Sequence, residues 1–305
     1  MQRRFLWLFL FLFIGCVFAS PQEKILLVED AHSDYNNSVL APYYTKTLET
    51  LGLDYDICEV KNKDDDGPGY NSTGSCGKDM KNYDIVIWFT GNDYGDPFYT
   101  LTPNDQTNLE TFLNNGGKLF ITGQDIGYDI GATDFYKDYL HAYFCKDNID
   151  DYSLEGTPGE PIGDSLLINI DGGAGNQKYP SLIFYTNGTN IFINNSFYYS
   201  TTSSSGWCWA KTGSWYCVKC DDGTYVYSRS SFPLPGAIKH DSGGPNGYKV
   251  VYFAFGFEGI NTSEDRVKVM NRTINYLAGP KTEGTKVYVR NLDNTGWEDL
   301  NITCD

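Results

Sequence analysis

Apolar positions along the first half of the chain follow two alternating patterns. Ile25-Leu-Leu-Val28, Ile85-Val-Ile-Trp-Phe89 and Lys118-Leu-Phe-Ile-Thr122 are short, nearly continuous apolar runs. Such runs predict strands covered on both faces, as in a parallel sheet. Asp54-Tyr-Asp-Ile-Cys58 predicts one more strand. Between the runs the period changes to that of a helix. Val39, Leu40, Tyr43, Tyr44, Thr47, Leu48 and Leu51 share one face, with Pro42 in the expected first turn and Gly52 as the stop. Thr102, Pro103 and Asp105 predict an N-cap, a first helical position and the return partner of a capping box. Leu109, Phe112 and Leu113 make that helix's inner face, and Asn115-Gly-Gly117 ends it. Asp134 to Phe144 predicts another helix, with Phe135, Tyr139 and Leu140 inward. The alternation of strand and helix predicts an α/β fold, a doubly wound and mostly parallel sheet.

The texture changes after Cys145. Helical spacing disappears, and Gly, Ser, Asn and Pro punctuate short aromatic and β-branched runs such as Leu166–Ile170, Ile191–Ile193 and Tyr225–Tyr227. This predicts an antiparallel β-rich insertion over 145–247. Lys249-Val-Val-Tyr-Phe-Ala-Phe255 is again a buried strand, and Val267, Met270, Ile274 and Leu277 place a helix after Ser263. The expected organisation is therefore an α/β domain over 20–144 and 248–280, interrupted by the insertion. A final strand or tail occupies 281–305, where Lys286–Arg290 alternates.

The first 19 residues stand outside this scheme. Arg3 and Arg4 precede an apolar run from Phe5 to Phe18, and Val17-Phe-Ala19 fits a cleavage site, so the segment predicts a secretory signal. Phe13-Ile-Gly-Cys16 also resembles a lipid-attachment box, which leaves anchoring at Cys16 as an alternative. No later stretch is apolar enough to span a membrane. Export implies an oxidising compartment. Cys58, Cys76, Cys145, Cys208, Cys217, Cys220 and Cys304 should then mostly pair as disulfides, with Cys58–Cys76 expected to staple an acidic loop. Cys208, Cys217 and Cys220 in a zinc knuckle is the less favoured alternative. Asn36, Asn71, Asn187, Asn194, Asn261, Asn271 and Asn301 each begin an Asn-x-Ser/Thr sequon. The formal net charge is −16, and becomes −18 once Arg3 and Arg4 are removed. That balance excludes nucleic acid as a partner, since no basic footprint could neutralise phosphates. A cell-surface glycan or protein is the expected partner.

In doubly wound sheets the ligand crevice lies at the carboxyl ends of the strands. Those ends carry Asp30, Asn92, Asp93 and Asp125. Asp125 sits in Gly123-Gln-Asp-Ile-Gly127, a glycine-flanked turn directly after a strand, the form in which several α/β enzymes present a nucleophile. A later strand ends in Phe255-Gly-Phe-Glu258. With these two segments the chain resembles the class I glutamine amidotransferase-like fold over about 24–144 and 248–278, in the form found in exported bacterial and archaeal proteins. The resemblance implies a flavodoxin-like α/β domain with a Cys-His-Glu triad. Here Asp125 stands in the place of the Cys and Gly256 in that of the His, while Glu258 remains. Glutaminase chemistry needs a thiolate and a base beside it, and neither residue supplies one.

Asp125 then has three readings: a cap for the helix after the turn, a ligand for a cation or polar molecule, or a catalytic carboxylate acting with Asp93 or Glu258. Calcium is the one cofactor the acidic residues suggest, although Asp64-Asp-Asp66 lacks the alternation of a calcium loop. His240-Asp-Ser-Gly-Gly-Pro245 resembles the nucleophile segment of trypsin-like proteases, but neither His32 nor His141 has the expected context, so a polar turn is the better reading. Tyr198, Tyr199, Trp207, Trp209 and Trp215 would form either a stacking face or the core of the β-rich region. The expected function is a secreted or cell-surface, non-catalytic binding or accessory protein. The alternative is an extracellular hydrolase using Asp125 and Glu258.

Overall fold

A computed structural model of the chain describes residues 23–33, 36–95, 100–174, 179–187, 191–192, 195–199, 216–228, 234–244, 246–279, 287–290 and 297–300. The expected signal segment, Cys16, Cys208, Cys304 and the three tryptophans Trp207, Trp209 and Trp215 lie outside the described residues. Two compact units are present, Glu23–Gly279 and a second whose described residues are 287–290 and 297–300. In the second, the alternating run forms a strand Val287–Arg290 paired antiparallel with Trp297–Leu300.

The larger unit is α/β, built on one mixed sheet of nine strands. Its parallel half contains β1 (Ile25–Glu29), β2 (Tyr55–Glu59), β3 (Ile85–Gly91) and β4 (Lys118–Gly123), arranged in the order β2-β1-β3-β4. The strand Lys249–Phe253 continues this half beside β4, also parallel. Strands β1 and β3 are buried at every position, as their continuous apolar runs require. Alternate side chains pack on opposite sides. Ile25, Leu27, Ile85, Ile87 and Phe89 share a core with Leu40, Tyr44 and Leu48 of α1 (Asn37–Thr50). Leu26, Val28, Val86 and Trp88 share another with Leu109, Phe112 and Leu113 of α2 (Pro103–Asn114) and with Ile126 and Ile130 of the short α3 (Ile126–Ile130). The last helix, α4 (Ser263–Ala278), lies on the α1 side through Val269, Met270, Ile274 and Leu277.

Helix α2 forms as its sequence predicts. The Thr102 hydroxyl accepts from the Asp105 amide at 3.1 Å, and the Asp105 carboxylate accepts from the Thr102 amide at 3.0 Å, a complete capping box with Pro103 at the first position. Helix α1 starts at Asn37, so Pro42 falls in the second turn, and Val39 points outward at 42 % exposure.

The helix expected over Asp134–Phe144 is not there. A single π-helical turn, Phe135–Tyr139, is followed by a strand β5 (Ala142–Lys146). His141 takes φ +55°, which ends the helical path, and β5 finds its ladder partner in Leu182–Thr186.

Strands from 145–247 do more than pack on themselves. Ser153–Gly156, Leu167–Asn169, Phe197–Tyr199 and Leu234–Asp241 carry the nine-stranded sheet onward, all antiparallel. Leu234–Asp241 pairs with Lys249–Phe253 and so covers what would be an open edge of the parallel half. Two disulfides are present. Cys58–Cys76 is the expected staple, and Cys145–Cys220 ties β5 to the hairpin formed by Tyr216–Lys219 and Tyr225–Ser228. Because Cys220 is oxidised, it cannot serve in a zinc knuckle. No helix among the described residues is long and apolar enough to cross a membrane.

Candidate functional site

Parallel strands in register deliver their carboxyl ends to one edge. Glu29 pairs with Phe89, and Phe89 with Thr122, so the residues just past β1, β3 and β4 emerge side by side. The side chain of Asn37 fixes the first of these exits. Its amide donates to the carbonyls of Glu29 at 2.9 Å and Val60 at 3.0 Å, and its oxygen accepts from the Ala31 amide at 2.8 Å.

Asp30 and Asp93 meet across that edge, with His32 between them. The Trp88 indole donates to Asp30 Oδ2 at 3.0 Å. Asp93 accepts the backbone amides of His32 and Ser33, each at 2.7 Å. The imidazole stands with Nε2 3.7 Å from Asp30 Oδ1 and Nδ1 3.8 Å from Asp93 Oδ2, beyond hydrogen-bond range in both directions. Its side chain is 8 % exposed, and both ring nitrogens are buried without a partner. Asn92 lies beside this group and accepts from the Ser33 hydroxyl. Burial, reinforced by Asp105, holds the Asp30 carboxyl well above the usual range. Burial also raises Asp93, against the opposing pull of its two amide donors and of His32.

Asp125, just past β4, is near enough to Asp93 for the two charges to interact. Among the readings available from sequence, a helix cap was the simplest, and the structure overturns it. Asp125 is the N-cap residue of α3, but its side chain makes no capping hydrogen bond, and Oδ2 is buried without a partner. Its backbone, at φ −108° and ψ 5°, lies outside the extended conformation that lets a cap side chain reach back to the amides of the first turn. Burial lifts the carboxyl to about 8, helped by the charges of Asp147, Asp129 and Asp93 and opposed by a hydrogen bond with the Gln124 side chain. Asp129 accepts the amides of Gly95 at 2.6 Å and Thr100 at 3.0 Å, and burial raises it to about 6. Asp147, just past β5, is also raised by burial, and one of its oxygens is buried without a partner. The glycines of the elbow are set by space. A Cβ on Gly123 would run into the Thr90 hydroxyl, and one on Gly127 would come within 2.6 Å of the Phe144 ring.

Glu258 does not join this group. It lies in the 3-10 turn Phe257–Gly259, and its carboxylate accepts from the Tyr44 hydroxyl at 2.5 Å. Tyr44 stacks on Phe89 at 4.3 Å, on the α1 face, whereas Asp30 is held by Trp88 on the α2 face. The structure thus brings together Asp30, Asn92, Asp93 and Asp125, and leaves Glu258 buried against α1. Sequence reasoning passed over His32, Asp129 and Asp147. The available signal for His32 was its place two residues after Asp30, at a strand's carboxyl end.

The remaining candidates are accounted for locally. The Ser242 hydroxyl donates to the Tyr248 carbonyl at 3.2 Å, while His240 stacks on His141 with ring centroids 3.4 Å apart and meets the Tyr185 hydroxyl at 2.9 Å. Asp66 accepts from Thr102 at 2.7 Å and Asn104 at 2.9 Å. Tyr199 is buried and donates to the Ser181 carbonyl at 2.9 Å, so it belongs to the core. Among the described residues no group of three or more His, Cys, Asp or Glu side chains is arranged to hold a metal ion.

No protein-family model matches the chain, and no curated protein matches it. Solved structures similar to it include a cold-adapted β-galactosidase from Rahnella sp. R3 (12 % identity, TM-score 0.45), of which the chain spans 32 % while 87 % of the chain is covered. A ThuA-like protein from Parabacteroides merdae ATCC 43184 is similar at 11 % identity and TM-score 0.46, with 92 % of this chain and 98 % of that one covered. The N-terminal domain of mmIFT52 is similar at 10 % identity and TM-score 0.44, covering 87 % of this chain and all of that one.

Proposed function

We propose that the protein is an exported binding protein, built on a doubly wound, glutamine amidotransferase-like domain whose glutaminase triad is lost. The crevice at the carboxyl ends of β1, β3 and β4 takes a small polar ligand. One observation carries this reading: Asp125 and His32 hold buried polar atoms with no partner, on the side where Asp30 and Asp93 converge. Buried polar atoms left without a hydrogen bond destabilise a fold, and a ligand that pairs with them offsets that cost. Asp125 and Gly256 in place of a thiol and an imidazole leave no nucleophile–base pair for amide transfer. Two disulfides agree with an oxidising compartment. The sequon asparagines Asn36, Asn71, Asn187, Asn261 and Asn271 are exposed, as glycan acceptors must be.

A second reading, an extracellular hydrolase, is supported by Asp125 alone. A carboxyl held at about 8 keeps its proton at neutral pH and could donate it to a leaving group. The partner expected for it, Glu258, is engaged with Tyr44, which leaves Asp93 as the available second carboxylate. Screening the wild-type chain and Asp125→Asn against chromogenic ester, amide and glycoside substrates separates the two readings. The binding reading expects no turnover by either. Turnover by the wild type that disappears in Asp125→Asn would establish the hydrolase instead.

A further inference from the structure

Exposed tyrosines lie beside the buried acidic group, where a polar site alone does not require them. Among the described residues seven large hydrophobic side chains are exposed, and three of them are Tyr94, Tyr128 and Tyr179. All three leave from the same edge. Tyr94 follows Asp93 directly. Tyr128 lies one turn beyond Asp125, on α3. Tyr179 is held beside Asp125, where its amide donates to the side-chain oxygen of Gln124 at 3.3 Å. Tyr94 and Tyr128 are 60 % and 55 % exposed, and their rings meet edge to face with centroids 6.5 Å apart. The 91–95 segment is tied to α3 by the Gly95–Asp129 hydrogen bond, so this pair stays at the mouth of the acidic group.

We infer that the ligand is a carbohydrate, with a sugar ring set against Tyr94 and Tyr128 and its hydroxyls reaching Asp93, Asp125 and His32; this rests on the crevice being a binding site. The chemistry of each alternative is poorer. An anion would enter a group of five carboxyl side chains, Asp30, Asp93, Asp125, Asp129 and Asp147, and be repelled by those that ionise. A metal ion lacks a three-ligand set among the described residues. An organic cation would prefer ionised carboxylates, whereas burial keeps Asp125 protonated at neutral pH. A neutral hydroxyl donates and accepts, and so suits a carboxylic acid, a carboxylate and an imidazole together. Tyrosines with one apolar face exposed complete the fit, because a sugar ring presents C–H groups on its faces and hydroxyls around its edge.

The test is a titration of the full secreted chain, by calorimetry and by thermal shift. The probes are glucose, galactose, mannose, xylose, N-acetylglucosamine and their β-linked disaccharides. Calcium chloride and butylammonium chloride are run in parallel. The proteins are wild type, Asp125→Asn, and the double variant Tyr94→Ala/Tyr128→Ala, whose side chains are more than half exposed and whose fold should be intact by far-UV circular dichroism. At least one saccharide is expected to bind wild type. The double variant should bind it about ten-fold or more weakly, as loss of aromatic contacts at a binding hot spot implies, and Asp125→Asn should also weaken it. Saccharide binding that is unchanged in the double variant overturns the inference. Binding of calcium or butylammonium with no saccharide overturns the sugar assignment but leaves the crevice as a binding site. No binding by any probe overturns both.

Discussion

Replacing Asp125 with Asn should make the protein more stable, and by an amount that depends on pH. In the fold the carboxyl keeps its proton up to about 8, against 3.8 for an unperturbed aspartate. Between those values the folded chain binds a proton that the unfolded chain has released, so stability falls as pH rises. The contribution of the protonated carboxyl is fully present below the unfolded value and is lost as pH passes up through the folded one. The interval is about four pH units, from 8 − 3.8. At about 1.4 kcal/mol per unit the ceiling is roughly 6 kcal/mol. Relaxation and water entry reduce such penalties, so the difference expected near pH 8.5 is about 2–4 kcal/mol in favour of the Asn variant. Near pH 4 the two proteins should agree within about 1 kcal/mol, the worth of one hydrogen bond. Urea unfolding of both, with disulfides intact, at intervals from pH 4 to 8.5 measures this directly. Other raised carboxyls, such as Asp30, Asp93 and Asp129, cancel to first order because both proteins carry them. A difference that does not grow with pH, or an Asn variant that is less stable from pH 6 to 8.5, would refute the reasoning and show Asp125 to be an ionised, well-partnered side chain.

The two disulfides should contribute unequally. Chain-entropy arguments give about 3 kcal/mol for Cys58–Cys76, which closes 18 residues, and about 4.5 kcal/mol for Cys145–Cys220, which closes 75. Unfolding of the paired Cys→Ser variants should therefore show the larger loss for the second bridge, and the reverse order would mean that native-state strain dominates. Tyr44→Phe removes the donor to Glu258 in a buried setting and should lower stability by about 1–3 kcal/mol. The same variant should leave saccharide affinity unchanged when titrated beside wild type. A clear loss of affinity would place Glu258 in the site after all.

The parts of the fold that were legible in the sequence are those set by local pattern. Ile25–Val28 and Ile85–Phe89 read as doubly covered strands because no polar residue interrupts them, and Thr102-Pro-Asn-Asp105 carries its capping box in four adjacent residues. Ala142–Lys146 was illegible for the opposite reason. Its strand character comes from the pairing of β5 with Leu182–Thr186, some 40 residues away, while Phe135, Tyr139 and Leu140 just before it keep helical spacing. The site divides the same way. The sequence pointed to the carboxyl ends of the strands, where Asp30 and Asp93 stand on either side of His32. His32 was missed because a lone histidine in a polar segment carries no periodic signal. Its significance comes only from the adjacency of β1 and β3, which brings Asp93 to it from 61 residues away. Glu258 went to Tyr44, 214 residues away, for a reason no local motif encodes.

The elbow can be separated into parts that serve the fold and a part that does not. Gly123 and Gly127 are fixed by the closeness of Thr90 and Phe144. Thr122, just before them, ties the turn to the segment after Lys249–Phe253: its hydroxyl donates to the Phe255 carbonyl at 2.7 Å and accepts from the Phe257 amide at 2.9 Å. Those residues would be needed whatever the turn carried. Asp125 satisfies no such requirement. It caps nothing, leaves one oxygen buried and unpaired, and raises the cost of folding at neutral pH. Serine or asparagine in its place would remove the titrating carboxyl without disturbing the glycines. Under the proposed function, a residue that works against the stability of a turn built so tightly around it is accounted for by the ligand it would meet, since binding sites are where folds carry unpaired polar groups at a net loss of stability. On that reading Asp125 serves ligand recognition from its position in the turn.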